Sequence, residues 1–465
     1  MSQKKIIFFI IVWLIVVSMI AGILLLKNRT TTATIIPGTL KIWITDGTTL
    51  GYDALAAGFK TYAPEYKNTN IVFEKKTTDA IRYRTLLLKT MADGTGPDIF
   101  MVWAGEDSVI ESRIEPIPSD VLDFADFEKR YDDIFLPLLV SSGTEDATTT
   151  YLMGVPLGFE TMGVFYNKTL IREVPRTWND LDILYNKGTD SDTFVAGLGL
   201  GPRYTPNAAD IIALFYGRDG TTDITGIKAG ANNGLASYMG YRDIAIVGTT
   251  QDDAYTPIRT LVWEQADMET EKSTTLDLFM RGDIGMIYGY PSLITELEKS
   301  DKRAGISSKA GVILTEKIPA LSAESGRAKN IAKFNFFALS KTTPNPEAGV
   351  KFLEYLMTSE AEKIFLQNNS YLISAQREFW TAQQWTKLSS ILSRASMDAF
   401  IPDTTEELFV FSYGLKAEFE NFLSEYIDRN DSIDINNISQ RISHDLSCSI
   451  DTYSDAEIRP DCEKK

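Results

Sequence analysis

The sequence predicts an α/β protein: doubly wound sheet units, preceded by one membrane-spanning helix. Three observations predict it. The chain opens on an unbroken apolar run, Ile6 to Leu26. From Leu40 to Trp103, strand-like and helix-like stretches then alternate in the order β-α-β-α-β, which implies a doubly wound unit. The third of those strands, Ile99-Phe-Met-Val-Trp103, is apolar throughout, as a parallel strand covered on both faces requires.

The apolar run is broken only by Ser18 and Gly22. At ~1.5 Å per residue a helix of this length covers the ~30 Å hydrocarbon core. Met19-Ile20-Ala21 puts Met where signal cleavage wants a small residue, and no cysteine near the run's end permits lipid acylation. Residues 1–27 therefore read as a retained signal anchor in the cell membrane, with a cleaved signal peptide as the alternative. Lys4 and Lys5 with the α-amino group outweigh Lys27 and Arg29, which favours an inside N-terminus and an extracytoplasmic body. No second apolar span follows, so the chain is single-pass. Residues 28–39 are Thr-rich, carry Pro37-Gly38 near their end, and read as a tether.

The elements of the body follow in order. Leu40 to Ile44 is a strand. Tyr52, Leu55, Phe59 and Tyr62 recur on one helix face, and Pro64 ends that helix. Asn70 to Glu74 is a second strand. Ile81, Leu86, Leu87 and Met91 suggest a second helix, closed by Gly94-Thr-Gly96-Pro97 before the apolar strand at Ile99. Thr177-Trp-Asn-Asp180 looks like a helix start. Asn345-Pro346-Glu347 offers an N-cap with Pro in the first turn, and Val350, Leu353, Leu356 and Met357 continue that helix. Ser359-Glu-Ala-Glu362 reads as a capping box for the next one. From about residue 376 the pattern is helical, with Phe411, Leu415 and Phe419 on one face.

Charge narrows the partners. The 63 acidic residues against 46 Lys and Arg give a formal charge of −17, which disfavours phosphate backbones and excludes nucleic acid as a partner. Cys448 and Cys462 are the only cysteines. In an exported chain they can close a terminal disulfide loop; otherwise they are two thiols in a tail.

Five segments then resemble, in order, the extracellular solute-binding proteins of carbohydrate ABC importers, the maltose-binding-protein-like group. These are Gly96-Pro97-Asp98-Ile99-Phe100 with Trp103-Ala104; Val155-Pro-Leu-Gly-Phe-Glu-Thr161 with Val164-Phe-Tyr-Asn-Lys168; Pro175-Arg-Thr-Trp-Asn-Asp-Leu181; Phe279-Met-Arg-Gly-Asp-Ile-Gly-Met286 with Gly289-Tyr290; and Phe337-Ala-Leu-Ser-Lys341 with Asn345-Pro-Glu-Ala348. The resemblance runs from about residue 38 to residue 420. It implies two doubly wound lobes joined by a hinge: 38–145 plus 310–375, and 146–305 plus 376–445, with 446–465 as a tail. It further implies a monomer that encloses a carbohydrate by hinge closure, delivers it to ABC importer permease subunits, and needs no cofactor and no metal.

A sugar offers hydroxyls at its edge and C–H faces above and below, so its site needs rings and a few placed polar groups. Trp43 ends the first strand, and Trp103 ends the third, where open α/β sheets bind ligands. Glu106 and Asp107 share the loop after Trp103. Glu160 interrupts an apolar stretch, where an unused charge is costly, and Thr161 adjoins it. By the resemblance, Trp103 and Glu160 match ligand contacts, Tyr290 the second lobe's aromatic, and Asn335 and Phe336 a cleft-facing pair. Tyr413 stands where the family has two helix aromatics.

Enzyme chemistry finds little material. His444, the one histidine, sits in a polar region beside Asp445, too little for a serine triad or a zinc site. Gly197-Leu-Gly-Leu-Gly201 is not a dinucleotide fingerprint, and no Walker A motif occurs. Asp428 to Asp434 lacks the glycine and closing glutamate of an EF-hand. A glycosidase needs only two carboxylates, which Glu160 with Glu106 or Asp107 would supply. That enzyme, and a tethered sensor or adhesin of the same fold, stand as the alternatives to transport.

Overall fold

The computed structural model describes most of residues 38–177 and 328–380, with shorter stretches at 194–197, 207, 210, within 276–297, 313–317 and within 399–410. Among the described residues no helix is long and apolar enough to cross a membrane. The apolar run at 6–26, the tether up to 37, Trp178 to Asp180, the helical pattern beyond 410 and the C-terminal tail lie outside them.

The first unit forms as the alternation requires. Strand β1 (Thr39–Ile44) leads to α1 (Thr49–Tyr62), β2 (Asn70–Lys75), α2 (Ala80–Ala92) and β3 (Ile99–Trp103). β1 pairs in parallel with β2 on one side and β3 on the other. Tyr52, Leu55 and Phe59 bury one stripe of α1, and Phe59 meets Phe352 edge-on at 5.1 Å. On α2 the buried stripe is Tyr83, Leu87 and Met91, spaced by four. Leu86, expected on that face, is 38% exposed: it sits one position off the i, i+4, i+8 row. Gly94 closes α2 with φ of +67°, a left-handed position that suits glycine.

Next come β4 (Ile117–Pro118), α3 (Phe124–Arg130), β5 (Val140–Ser142) and β6 (Thr150–Leu152), whose strands form a small sheet in the order β4-β6-β5. The chain then runs through β7 (Val155–Thr161), β8 (Gly163–Asn167), β9 (Phe194–Gly197), β10 (Ile284–Gly289), β11 (Ile313–Lys317) and β12 (Ala328–Leu339). It continues as α4 (Pro346–Leu356), α5 (Ser359–Asn368), β13 (Ile373–Ser374) and β14 (Glu406–Phe409).

Two larger sheets result. One has the order β13-β7-β12-β3-β1-β2, with β14 beside β12. It is mixed, because β12 runs antiparallel to both β3 and β7. The other has the order β11-β8-β10-β9. Sheet membership divides the chain at Met162 and between Lys317 and Ala328, not at the expected 145/146 and 305–310. β7 pairs in the first sheet, β11 pairs with β8 in the second, and β14 returns to β12. From 376 the described residues give a 3-10 turn at Arg377–Phe379, a short irregular stretch at 399–402 and strand β14, and the rest of the expected helical pattern, 381–398 included, lies outside them.

At the junction the backbone ladder between β12 and β7 ends at Ala332 and Thr161. Asn330, fully buried, takes over: its amide nitrogen donates to the Met162 carbonyl at 2.9 Å, and its oxygen accepts from the Met162 N–H at 3.1 Å. Thr161 donates its hydroxyl to the Phe400 carbonyl, and Lys317 donates to the Ile401 carbonyl at 2.9 Å. Gly163 begins the second sheet under the Phe400 ring, where a Cβ would stand 2.4 Å from a ring carbon.

The opposite ends of β1 and β3 are stitched by Asp98. Its carboxylate accepts from the Lys41 N–H at 2.7 Å, from the Thr343 hydroxyl at 2.5 Å and from the Asn345 side chain at 3.0 Å. Asn345 therefore starts α4 without capping it through its side chain, which serves Asp98 and the Thr39 carbonyl instead. The next cap is also displaced. Thr358, not Ser359, accepts from the Ala361 N–H, and Glu362 turns inward rather than back.

Candidate functional site

The C-terminal ends of β1 and β3, together with the junction strands β7 and β12, bring several of the singled-out residues together. Trp103 ends β3 directly opposite Asn335 on β12. The Trp103 ring is half-buried and meets Tyr83 edge-on at 5.1 Å. Tyr83 is anchored in turn by its hydroxyl, which donates to the Met101 carbonyl at 2.8 Å.

Two residues before Asn335 along β12, on the near side of an irregularity in the β7 register between Phe334 and Phe336, stands Lys333. Its register partner on β7 is Glu160. Glu160 is 6% exposed, and its Oε1 accepts from the Ser292 N–H at 2.7 Å. Ser292 follows Tyr290-Pro291 in a tight turn, where Leu293 N–H donates to the Tyr290 carbonyl at 2.9 Å. Tyr290 is 1% exposed, and the Lys333 ammonium lies 4.9 Å from its ring centroid. Burial, then the nearby Asp210 and Glu160 carboxylates, push the Tyr290 hydroxyl well above the ordinary phenol range. It stays protonated and can donate.

Other expected residues point elsewhere. Trp43, expected at a rim, is 3% exposed: its indole N–H donates to Glu74 at 3.0 Å, and Lys76 covers its ring at 4.4 Å. Lys76 also pairs with Glu74 at 2.7 Å. The penultimate position on β1 turns the ring onto α2, 6.2 Å from Tyr83, rather than outward. Phe336 alternates away from Asn335 and packs where a Cβ on Gly154 would meet it at 2.5 Å. Thr161 is fully buried in the junction. Glu106, Asp107, Tyr413, Cys448 and Cys462 lie outside the described residues.

Lys333, Ser292, Asp210 and Tyr83 escaped the sequence reading. Lys333 had a signal, two residues before Asn335 on a strand. Ser292 takes part through its backbone, which no side-chain pattern shows, and nothing near Asp210 marked it.

The assembled groups are a half-buried indole, an amide and an ammonium, with the buried Glu160 and Asp210 carboxylates and a phenol behind them. Such a set stacks on C–H faces and hydrogen-bonds hydroxyls.

Residues 57–387 match the sequence profile described as bacterial extracellular solute-binding protein. Among curated proteins, no sequence matches this chain. Several solved structures share the fold at low identity. The GacH receptor of Streptomyces glaucescens is 15% identical, with 91% of this chain and 100% of that one covered and a TM-score of 0.60. A maltodextrin-binding protein from L. casei is 14% identical, covering 89% and 99%, with a TM-score of 0.62. The sugar-binding protein MalE of Xanthomonas citri is 14% identical, covering 89% and 98%, also at 0.62.

Proposed function

The chain belongs to the bacterial extracellular solute-binding proteins, and from that premise we propose that it binds a carbohydrate between its two sheet units and delivers it to an ABC importer. The observation that carries the reading is the pairing of Trp103 with Asn335 at the end of β3, beside the Glu160–Lys333 pair of the junction strands. A ring and an amide there serve the face and the edge of a sugar. The structurally similar proteins support the ligand class: their described ligands include acarbose, β-D-galactopyranose and maltotriose.

The apolar run at 6–26 serves as a retained anchor, with the body extracytoplasmic. Anchoring keeps a captured solute within reach of a membrane importer. Extraction of cell membranes with alkaline carbonate checks this: the protein stays in the pellet, and release into the supernatant argues against the anchor.

A thermal-shift screen tests the ligand. The full-length chain is heated with mono- and oligosaccharides, and with amino acids, polyamines and phosphate esters as controls. A sugar at 100 times its dissociation constant adds about 2.7 kcal/mol of stability. Trp103→Ala weakens binding of that sugar by about tenfold or more, since a stacked ring contributes on the order of 1.5 kcal/mol or above. A shift with a polyamine or phosphate ester and none with any sugar overturns the carbohydrate assignment.

A further inference from the structure

We infer that Glu160 is a positioning residue, which sets the turn carrying Tyr290 rather than contacting ligand with its charge; the inference rests on the binding site proposed above. Glu160 is on β7, in the first sheet, and Tyr290 directly follows β10, in the second. A hydrogen bond links them, Ser292 N–H to Glu160 Oε1 at 2.7 Å. Ser292 belongs to a short turn that holds itself by Leu293 N–H to Tyr290 carbonyl and Ile294 N–H to Pro291 carbonyl bonds, at 2.9 and 3.0 Å. The Glu160 carboxylate thus does for this turn what a capping side chain does for a helix start: it accepts from one of the turn's backbone N–H groups. At 6% exposure it offers little surface to a solute.

Tyr290 is fixed from two further sides. Lys333, the register partner of Glu160, lays its ammonium over the ring at 4.9 Å. Asp210, 2% exposed, lies near the phenol. Removing the Glu160 acceptor frees the turn and lets the ring tilt, so ligand affinity falls without loss of a direct contact. The role needs an oxygen at this distance and no charge.

Replacement by the isosteric amide separates the two roles. Glu160→Gln keeps an acceptor oxygen at the same reach; Glu160→Ala removes it; Glu160→Asp, one methylene shorter, serves if the alanine variant does not fold. Two readouts are taken. The first needs no ligand: amide hydrogen exchange at Ser292, followed by NMR in the full-length protein. Exchange is slow in the wild type and in Glu160→Gln, and at least tenfold faster in Glu160→Ala or Glu160→Asp. Equal exchange in all variants overturns the inference. The second readout is the dissociation constant for maltotriose and for galactose. The sugar that binds is held within about threefold of wild type by Glu160→Gln and at least tenfold more weakly by Glu160→Ala. Tyr290→Ala weakens it as much, and adding Glu160→Ala to Tyr290→Ala produces no further loss, because both act through one unit. If Glu160→Gln loses the sugar as fully as Glu160→Ala, the charge touches the ligand and the inference is wrong. If neither sugar binds the wild type, the carbohydrate reading suffers, while Ser292 exchange still decides the role of Glu160.

Discussion

At the scale of single residues, buried polar groups here hold elements in register. Glu362 is the sharpest case. It is fully buried on α5, and its Oε1 accepts from the Ser374 hydroxyl at 2.5 Å and the Ala375 N–H at 2.8 Å. Gln376 donates from its side chain to the other oxygen and to the Met357 carbonyl, and lies against Tyr131. Burial raises the Glu362 carboxyl to about 8 against these donors and the Arg130 charge. The folded protein keeps a proton that the unfolded chain releases, so stability is greatest below about pH 4.5 from this group and falls as pH rises toward 8. Glu362→Gln should flatten that decline, by on the order of a few kcal/mol in total. Denaturation midpoints measured from pH 5 to 8 check it; an unchanged slope would show that the carboxylate is charged throughout. None of this was legible in the sequence, where Glu362 fits a capping box. The fourth residue of such a box and a buried staple look alike until the partner strand is placed.

At the scale of elements, the apolar pattern carried most of the information. β3 is buried nearly end to end, and β1, α1 and α4 fall where periodicity put them. What failed was the fine placement of caps. Thr358 and Ser359 both suit an N-cap, and only backbone geometry separates them: Thr358 is extended, at φ −79° and ψ 146°, and accepts from Ala361. Thr358→Ala should therefore destabilise the protein by about 1 kcal/mol. Ser359→Ala, in the first turn with its hydroxyl toward Glu378, should cost under about 0.5 kcal/mol. Urea denaturation of the two variants distinguishes them, and the reverse ranking would move the cap. The site shows the same division. The position of Trp103 at the end of β3 was readable because a strand end is a place, whereas the burial of Trp43 was not, because its outward or inward turn depends on α2, Glu74 and Lys76.

At the scale of the whole molecule, two sheets meet at strands that pass from one to the other, and a side chain replaces backbone at the passage. Asn330 gives Met162 both of its hydrogen bonds. A peptide ladder would resist bending there, while an amide on a rotatable stem follows it. Asn330→Ala should destabilise the fold by about 2–4 kcal/mol, because two buried backbone groups lose their partners. It should also broaden the unliganded size distribution in small-angle scattering. Saturating sugar should reduce the radius of gyration of the wild type, and an unchanged radius would argue against closure. The order of strands across the two sheets was not recoverable from one chain, since nothing in β7 or β11 states which sheet it joins. The Asp98 staple at the far end of the first sheet has a mechanical consequence. Gly38 enters β1 between two parallel neighbours, with its carbonyl bonded to the Asn70 N–H at 2.8 Å and Asp98 bonded to Lys41. A pull applied to the chain along β1 loads these bonds sideways and all together instead of peeling them one by one. β1 is thus built to bear tension applied at its N-terminal end.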